Sequence, residues 1–115
     1  MTDAASWPAP WVRAALDLAV LASLTDGALH GYAIGQNLAA HGFGLLRGGS
    51  LYPVLSRLEE AGDVKAGWVE GQGGPGRREY ELTGRGRDRL RRELASWRDL
   101  GETLATMGEG AITHG

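Results

Sequence analysis

Cysteine is absent from the 115-residue chain. The chain can therefore form no disulfide, no Cys-ligated zinc site and no thiol nucleophile. The three histidines, His30, His41 and His114, are too scattered for a metal site, so we expect no metal and no cofactor. His114 follows a hydroxyl nucleophile candidate, Thr113, but no positioned carboxylate pair accompanies them. We therefore expect a protein that is not an enzyme.

Long hydrophobic runs are absent as well. The longest strongly apolar stretch, residues 16–24, is interrupted by Asp17 and Ser23 and is too short to cross a bilayer. Residues 1–10 lack the basic segment followed by an apolar run that marks a secretion signal. These absences predict a cytoplasmic protein with no membrane partner.

What the chain does contain fits one soluble globular domain, with 43% hydrophobic residues, 23% charged residues and a formal net charge of -2. A domain this short exposes much of its surface, so association with a second copy would help to stabilise it. The charge is uneven: seven of the twelve basic residues lie between positions 77 and 92, which carries +4 and leaves −6 elsewhere. Charge alone leaves two interpretations open, a solvated helix face with i,i+4 ion pairs or a surface that binds nucleic acid.

The first part of the chain predicts a loose arm and two helices. The arm covers residues 1–10. The first helix, residues 11–24, is apolar on nearly all sides, so part of its surface is expected to meet another subunit. The second helix covers about residues 32–41 and has four inward candidates, which are Tyr32, Ile34, Leu38 and Ala39.

A third helix has the clearest local signals. Ser50 is a plausible N-cap, and Gly62 lies where a left-handed residue ends a helix. With this cap, Pro53 is the third helical residue, where a missing N–H costs nothing. One face carries Leu51, Leu55 and Leu58, and the opposite, more polar face carries Tyr52, Pro53, Ser56, Arg57 and Glu60.

Residues 64–69 and 78–82 alternate as strands do, and a glycine-rich segment joins them into a predicted β-hairpin. That segment spells G-x-G-x-x-G, but a strand follows it, so a dinucleotide site is not expected. Thr83 then caps a helix that continues to about Met107. Its apolar stripe is formed by Leu90, Leu94, Trp97, Leu100, Leu104 and Met107.

Three helices followed by a hairpin predict a mainly α (α+β) protein, a winged helix-turn-helix with a long C-terminal dimerisation helix. The expected parts are a flexible arm (1–10), the winged-helix domain (11–83), the dimerisation helix (84–107) and a flexible tail (108–115). In this fold the third helix enters the major groove and the hairpin flanks it. Arg77 and Arg78 at the exit of the hairpin could contact phosphate, one of them directly, although an ordinary solvated hairpin is the alternative.

Three motifs closely resemble those of the PadR-like transcriptional regulators. They are His30-Gly31-Tyr32-Ala33-Ile34, residues 49–62 (GSLYPVLSRLEEAG), and residues 76–83 (GRREYELT) followed by Gly86. The resemblance implies a homodimer built by the first and last helices, and repression relieved by a small molecule. It points to the short branch with a single C-terminal helix. Asp63, where the family usually has an apolar residue, and the glycine-rich hairpin tip depart from the family pattern.

The resemblance also implies DNA contacts for Ser50, Tyr52 and Pro53 at the start of the third helix and for Arg77 and Arg78 at the exit of the hairpin. Ser56 and Arg57, on the exposed face of the third helix, are further expected DNA contacts. These residues also have structural alternatives. Ser50 could act only as a helix cap, and Arg57 could pair with Glu60. The other two tyrosines, Tyr32 and Tyr80, are expected in the core rather than in contact with DNA. Trp68 is expected to pack the hairpin.

Dimerisation is expected to involve Leu18, Leu90, Leu94, Trp97, Leu100, Leu104 and Met107. In a branch of the family that responds to many drugs, a tryptophan matching Trp97 stacks flat aromatic compounds between subunits, and Trp11 could line the same cleft. Trp97 could instead only fill the interface. The resulting hypothesis is a repressor that binds a pseudo-palindromic operator in double-stranded DNA and is released by a small planar aromatic effector. The alternative is a winged-helix module that binds proteins and no operator.

Overall fold

The computed structural model describes residues 7–44, 48–71 and 73–110. They form four helices and three strands: α1 (Ala9–Ser23), β1 (Leu29–His30), α2 (Gly31–Ala40), α3 (Gly48–Glu60), β2 (Val64–Val69), β3 (Arg77–Leu82) and α4 (Gly84–Met107). The antiparallel sheet has the order β1-β3-β2. This arrangement confirms the predicted winged helix-turn-helix with a long C-terminal helix. Most of the predicted arm (1–6) and of the tail (111–115, with Thr113 and His114) lies outside the described residues.

One core joins all four helices to the sheet. It contains Leu18, Val20, Leu21, Leu24, Ile34, Leu38, Leu51, Val54, Leu55, Leu58, Val64, Tyr80, Leu82 and Leu90. α1 contributes only one side to this core, with Leu18, Val20 and Leu21 buried, so much of its apolar surface is not covered within the single chain. Trp11, for example, is exposed.

The first two helices begin earlier than predicted. Pro8 is the N-cap of α1 and Pro10 lies in its first turn, where the fixed φ of proline suits a helix and its missing N–H is not needed. The arm therefore ends at Pro8 rather than at Pro10. In α2, Tyr32 points outward and is 71% exposed, so its assignment to the core is wrong. Ile34 and Leu38 are buried as predicted.

The start of α3 also differs from the prediction. The helix begins at Gly48, so Ser50 lies inside its first turn and is not the N-cap. Pro53 is then the sixth helical residue and lacks the N–H that would bond to the carbonyl of Gly49, a loss that the core contacts of α3 offset. The end of the helix is as predicted. Gly62 has a φ of 84°, and the N–H of Asp63 bonds to the carbonyl of Leu58 at 2.9 Å, which is a Schellman motif.

The hairpin has the predicted strands, with β3 beginning one residue earlier at Arg77. Val64 pairs with Leu82 and Ala66 pairs with Tyr80, which places these side chains on the face toward the core. The prediction missed β1, which pairs with β3 through two residues only. A strand this short is below the length at which an alternating pattern can be recognised.

The cap of α4 is confirmed, since the Thr83 hydroxyl accepts a hydrogen bond from the N–H of Gly86 at 3.0 Å. The helix extends beyond the core, and the described molecule measures 63 × 32 × 22 Å. Five apolar side chains of its stripe are exposed: Leu94, Trp97, Leu100, Leu104 and Met107. In the described parts of the chain, no helix is long and apolar enough to span a membrane.

Candidate nucleic-acid interface

The exposed face of α3 carries the side chains that the sequence placed there. Ser50, Tyr52, Pro53, Ser56 and Arg57 are exposed, whereas the leucines of the opposite face are buried. The 3.6-residue period therefore separates the two faces correctly even though the helix starts earlier than predicted. This exposed face could enter a groove about as wide as one helix.

Tyr52 is held in place although it is 49% exposed. Its ring packs against the backbone of Gly31 at the start of α2. A Cβ at Gly31 would lie 2.7 Å from the Tyr52 hydroxyl oxygen and 3.0 Å from Cζ. The glycine therefore makes room for the ring, a role that the sequence did not reveal. The tyrosine is presented in a fixed orientation beside the exposed face of α3.

Arg77 and Arg78 lie on opposite faces of the hairpin. Arg78 shares a face with Tyr80, and its Nη2 donates to both carboxylate oxygens of Glu59 on α3, each at 3.1 Å. Arg77 lies on the other face and pairs with Glu79 at 3.3 Å. Arg78 is therefore the arginine that lies beside α3.

Arg57 pairs with a different partner from the one considered in the sequence. Its Nη2 lies 2.5 Å from Oδ1 of Asp17 on α1, so the predicted alternative of a Glu60 pair is wrong. All three candidate arginines are thus paired with carboxylates. Ion pairs this exposed each contribute about 0–1 kcal/mol to stability, so a phosphate could displace the carboxylate from the arginine. The sequence did not identify Glu59 as the partner of Arg78. For Asp17, the partner of Arg57, the only signal was its position as a charged residue within an apolar helix.

Tyr80 lies beneath this surface and belongs to the core, as predicted. Burial raises the pKa of Tyr80, while the positive charge of Arg78 works in the opposite direction; Tyr52 and Glu59 raise it further. The neutral phenol therefore remains the favoured form at the base of the hairpin.

The arginines of α4 are arranged differently from those of the hairpin. Arg89 pairs with Glu93 at i,i+4, and Arg91 pairs with Asp88 at i,i+3. The interpretation as a solvated helix face with local ion pairs is therefore correct for the exposed Arg91, whereas Arg89 is mostly buried and also contacts Asp63 and Asp17, which are distant in the sequence. The first two arginines of the basic window, Arg77 and Arg78, lie in the hairpin instead.

Two apolar clefts lie on the side of the molecule that carries Trp97. One, of about 240 Å³, brings the predicted residues Trp11 and Trp97 together and is also lined by Trp7 and Phe43. The rings of Trp7 and Phe43 meet edge to face, with centroids 5.4 Å apart. The other, of about 320 Å³, lies between α1, α2 and α4 and shares Trp97. Trp7 and Phe43 were not predicted, because they lie outside the helices that carry the apolar stripes.

The predicted dimerisation residues fall into two groups. Leu18 and Leu90 are buried in the core of the chain itself, so their first role is in its fold. The five further along α4, from Leu94 to Met107, are exposed in the single chain. Trp68 is also exposed, at 66%, although its indole lies over the backbone of Gly76 in the hairpin.

Comparison with known proteins decides the family. The family model described as "Transcriptional regulator PadR-like family" matches residues 20–92, which contain α2, α3, the hairpin and the start of α4. The chain belongs to the PadR-like family. This family is one of transcriptional regulators rather than of enzymes. No curated protein matches the chain.

Solved PadR-like structures share this fold. A PadR family regulator from Eggerthella lenta is 31% identical, with a TM-score of 0.77 and 85% of each chain covered. A PadR-like transcription factor from Bacteroides fragilis is 31% identical, with a TM-score of 0.74, and the match covers 85% of this chain and 94% of that one. PadR of Bacillus subtilis, solved in complex with operator DNA, is 26% identical, with a TM-score of 0.62, over 69% of this chain and 45% of that one.

Proposed function

We propose that this PadR-like protein is a cytoplasmic repressor that binds a pseudo-palindromic operator in double-stranded DNA as a homodimer. One observation carries the proposal. The exposed face of α3, with Tyr52 fixed at its edge, lies beside Arg78 of the hairpin, and Glu59 joins the two elements. The operator complex of the Bacillus subtilis relative supports the same kind of ligand.

The chemistry of the surface fits duplex DNA. A helix fits the major groove, where base edges can be distinguished, and arginine forms strong hydrogen bonds with the phosphates beside the groove. Tyr52 and Ser56 supply groups for base or sugar contacts, and Arg57, Arg77 and Arg78 supply the phosphate contacts once their carboxylate partners are displaced.

The homodimer is supported by the apolar stripe of α4. Exposed apolar side chains recur at spacings of three and four residues from Leu94 to Met107, on the part of α4 that extends beyond the core. Water contact of so many large apolar groups is unfavourable, and a two-fold dimer would cover the same stripe on both copies. Such a dimer presents two copies of α3 to one side of the DNA.

A selection from random duplexes tests operator binding. We expect the wild-type protein to enrich an inverted repeat whose half-sites lie about one helical turn apart, roughly 34–36 Å, or a multiple of it. Failure of the folded, dimeric protein to enrich any duplex would reject operator binding. It would favour the alternative of a winged-helix module that binds proteins.

A planar aromatic effector is the second part of the proposal. The cleft that contains Trp11 and Trp97 is almost entirely apolar and offers two aromatic faces for stacking. A compound bound between α1 and α4 would change operator affinity only as far as it binds the DNA-competent dimer and the alternative arrangement differently.

Titration of aromatic compounds, followed by tryptophan emission, tests the effector. Trp97→Ala should reduce the affinity for a compound that the wild type binds, whereas Trp68→Phe, outside both clefts, should leave it unchanged. Equal affinity in the wild type and in Trp97→Ala would leave Trp97 only the role of interface filler. An unaltered operator affinity in the presence of the bound compound would show that the compound is not an effector.

A further inference from the structure

Asp63 is the buried carboxylate that the proposed function leaves unused. It follows Gly62 at the end of α3 and is 2% exposed. An unpaired charge in such a position would be strongly destabilising, so its partner indicates what the residue holds together.

Asp63 has two arginine partners on α4: Nε of the exposed Arg85 lies 3.7 Å from its Oδ1, and the closer partner is Arg89. Nη1 of Arg89 lies 2.7 Å from Oδ2 of Asp63, and its Nε lies 2.9 Å from Glu93. Burial alone would lower the pKa of Arg89, but its hydrogen bonds to Asp63 and Glu93 outweigh burial and raise it. The guanidinium is therefore held charged in a mostly buried position.

The same guanidinium reaches a second point connected to α3. Nη2 of Arg89 lies 3.6 Å from Oδ2 of Asp17 on α1, and the other oxygen of Asp17 receives Arg57 of α3 at 2.5 Å. Arg89 thus links α4 to the end of α3 through Asp63, and to the exposed face of α3 through Asp17. Two links to one rigid helix restrict rotation as well as separation.

Backbone contacts make this joint tight. The N–H of Thr83 donates to the carbonyl of Asp63 at 3.1 Å, and the Thr83 hydroxyl donates to the carbonyl of Gly62 at 2.6 Å. A Cβ at Gly86 would overlap the carbonyl oxygen of Asp63. The first turn of α4 is therefore seated directly on the C-terminus of α3.

We infer that Asp63 and Arg89 are positioning residues, which fix the angle between α3 and α4 and thereby the distance between the two α3 helices of a dimer. The inference rests on the proposed function, because it takes α4 as the dimerisation helix and α3 as the helix that reads DNA. Neither residue contacts DNA in this scheme. They act on specificity through the half-site spacing that the dimer accepts.

The joint can be tested without DNA. The chain has no cysteine, so Ser56→Cys on the exposed face of α3 gives one spin-label site per copy. Double electron–electron resonance should show one narrow distance between copies for the wild-type background. The apolar pair Asp63→Leu with Arg89→Met leaves no unpaired buried charge at these two positions, and should at least double the width of that distribution.

Matched variants separate positioning from general effects. Asp88→Leu with Arg91→Met removes an exposed pair of the same residue types on α4 and should leave the width unchanged. If the Asp63–Arg89 double variant does not fold, Arg89→Lys replaces it, because lysine is a point charge that cannot hold the forked contacts. Its distribution should also broaden.

A DNA arm uses duplexes whose half-sites are moved by one base pair in either direction. The wild type should lose at least tenfold in affinity, and the Asp63–Arg89 double variant less than threefold. The inference would be overturned by a folded double variant that keeps the wild-type width of the spin-label distance distribution and the wild-type preference for half-site spacing. It would also be overturned if the labelled wild type showed no distance between copies. Failure of the wild type to bind any duplex would reject the proposed function, and the label distances would still decide whether Asp63 and Arg89 position α3.

Discussion

At the scale of single residues, several side chains of the candidate interface already have partners in the protein. Tyr52 rests on Gly31, Arg57 pairs with Asp17, and Arg78 pairs with Glu59. Side chains held in this way lose less rotamer freedom on binding than free ones. Binding to phosphate then exchanges one weak surface ion pair for a stronger charge-assisted contact.

Tyr52→Ala should weaken the operator complex by about 1 to 3 kcal/mol, the range for a good base contact, and should leave binding to a scrambled duplex nearly unchanged. Fluorescence anisotropy with both duplexes measures this ratio. Tyr52→Phe is the control: it keeps the ring packed on Gly31 and so separates loss of the ring from loss of the hydroxyl. An unchanged ratio in Tyr52→Ala would exclude Tyr52 from recognition.

The buried Tyr80 predicts a loss of stability at alkaline pH. Its pKa is raised in the folded protein above the value of 10.0 in the unfolded chain, mainly by burial. The contribution of Tyr80 ionisation to the free energy of unfolding is therefore fully present below pH 10. It is lost as the pH rises through the folded pKa, because the tyrosine ionises first in the unfolded state. Urea unfolding between about pH 8 and 11 should show a shallower decline for Tyr80→Phe than for the wild type. The same decline in both proteins would contradict this origin.

At the scale of secondary-structure elements, the hairpin and α3 form one surface because Glu59 and Arg78 join them. Glu59→Gln should free Arg78 and tighten binding to all duplexes alike by about two- to fivefold, the value of one surface ion pair. Glu60→Gln is the matched control, because it removes the same charge one residue away and Glu60 is not a partner of Arg78. Equal effects of the two substitutions would indicate a general charge effect instead of a competition for Arg78.

The exposed stripe of α4 predicts the dimer interface. Leu94→Glu together with Leu104→Glu should convert the dimer into a monomer of normal helicity, because burial of two charges in an apolar interface is strongly unfavourable. Ala95→Glu with Thr106→Glu adds the same charges to the opposite side of the helix and should leave the dimer intact. Light scattering distinguishes these outcomes, and a dimeric Leu94–Leu104 double variant would show that α4 is not the interface.

Local signals made several elements predictable from the sequence. The alternation of β2, the Thr83 cap and the Gly62 terminus each act within a few residues, and each was predicted correctly. The start of α3 was predicted wrongly because serine is a preferred N-cap residue and glycine is a poor helix former. A helix that begins at Gly48 and contains Ser50 was therefore not expected. In this case tertiary packing of the helix overrides the local preference.

Long-range features of the site could not be predicted in the same way. The Arg57–Asp17 pair joins residues 40 apart in the sequence, and the Arg89–Asp63 pair joins residues 26 apart. Nothing in the local pattern selects these partners, since each arginine also has carboxylates nearby in sequence. Only the packing of α1, α3 and α4 brings the correct ones within reach.

At the scale of the whole molecule, the net charge of -2 and the pairing of the candidate arginines reduce the general attraction to DNA. Affinity for an operator must then depend on contacts that only the correct sequence and spacing allow. The described molecule is elongated, 63 × 32 × 22 Å, and α4 carries the proposed dimer contact away from the surface of α3 that is proposed to read DNA. We therefore expect weak binding to non-specific DNA and a large ratio of operator affinity to non-specific affinity.

The salt dependence of binding tests most directly whether the protein reads DNA through α3 and the hairpin. Anisotropy titrations of the selected operator and a scrambled duplex, between about 50 and 200 mM salt, should show tighter operator binding and a steep negative slope for the wild type. Arg77→Ala with Arg78→Ala should weaken both duplexes by the same factor and make the slope shallower by about 1 to 2, one for each arginine that no longer neutralises a phosphate. Equal wild-type affinity for the two duplexes, or an unchanged slope in the double variant, would contradict the account.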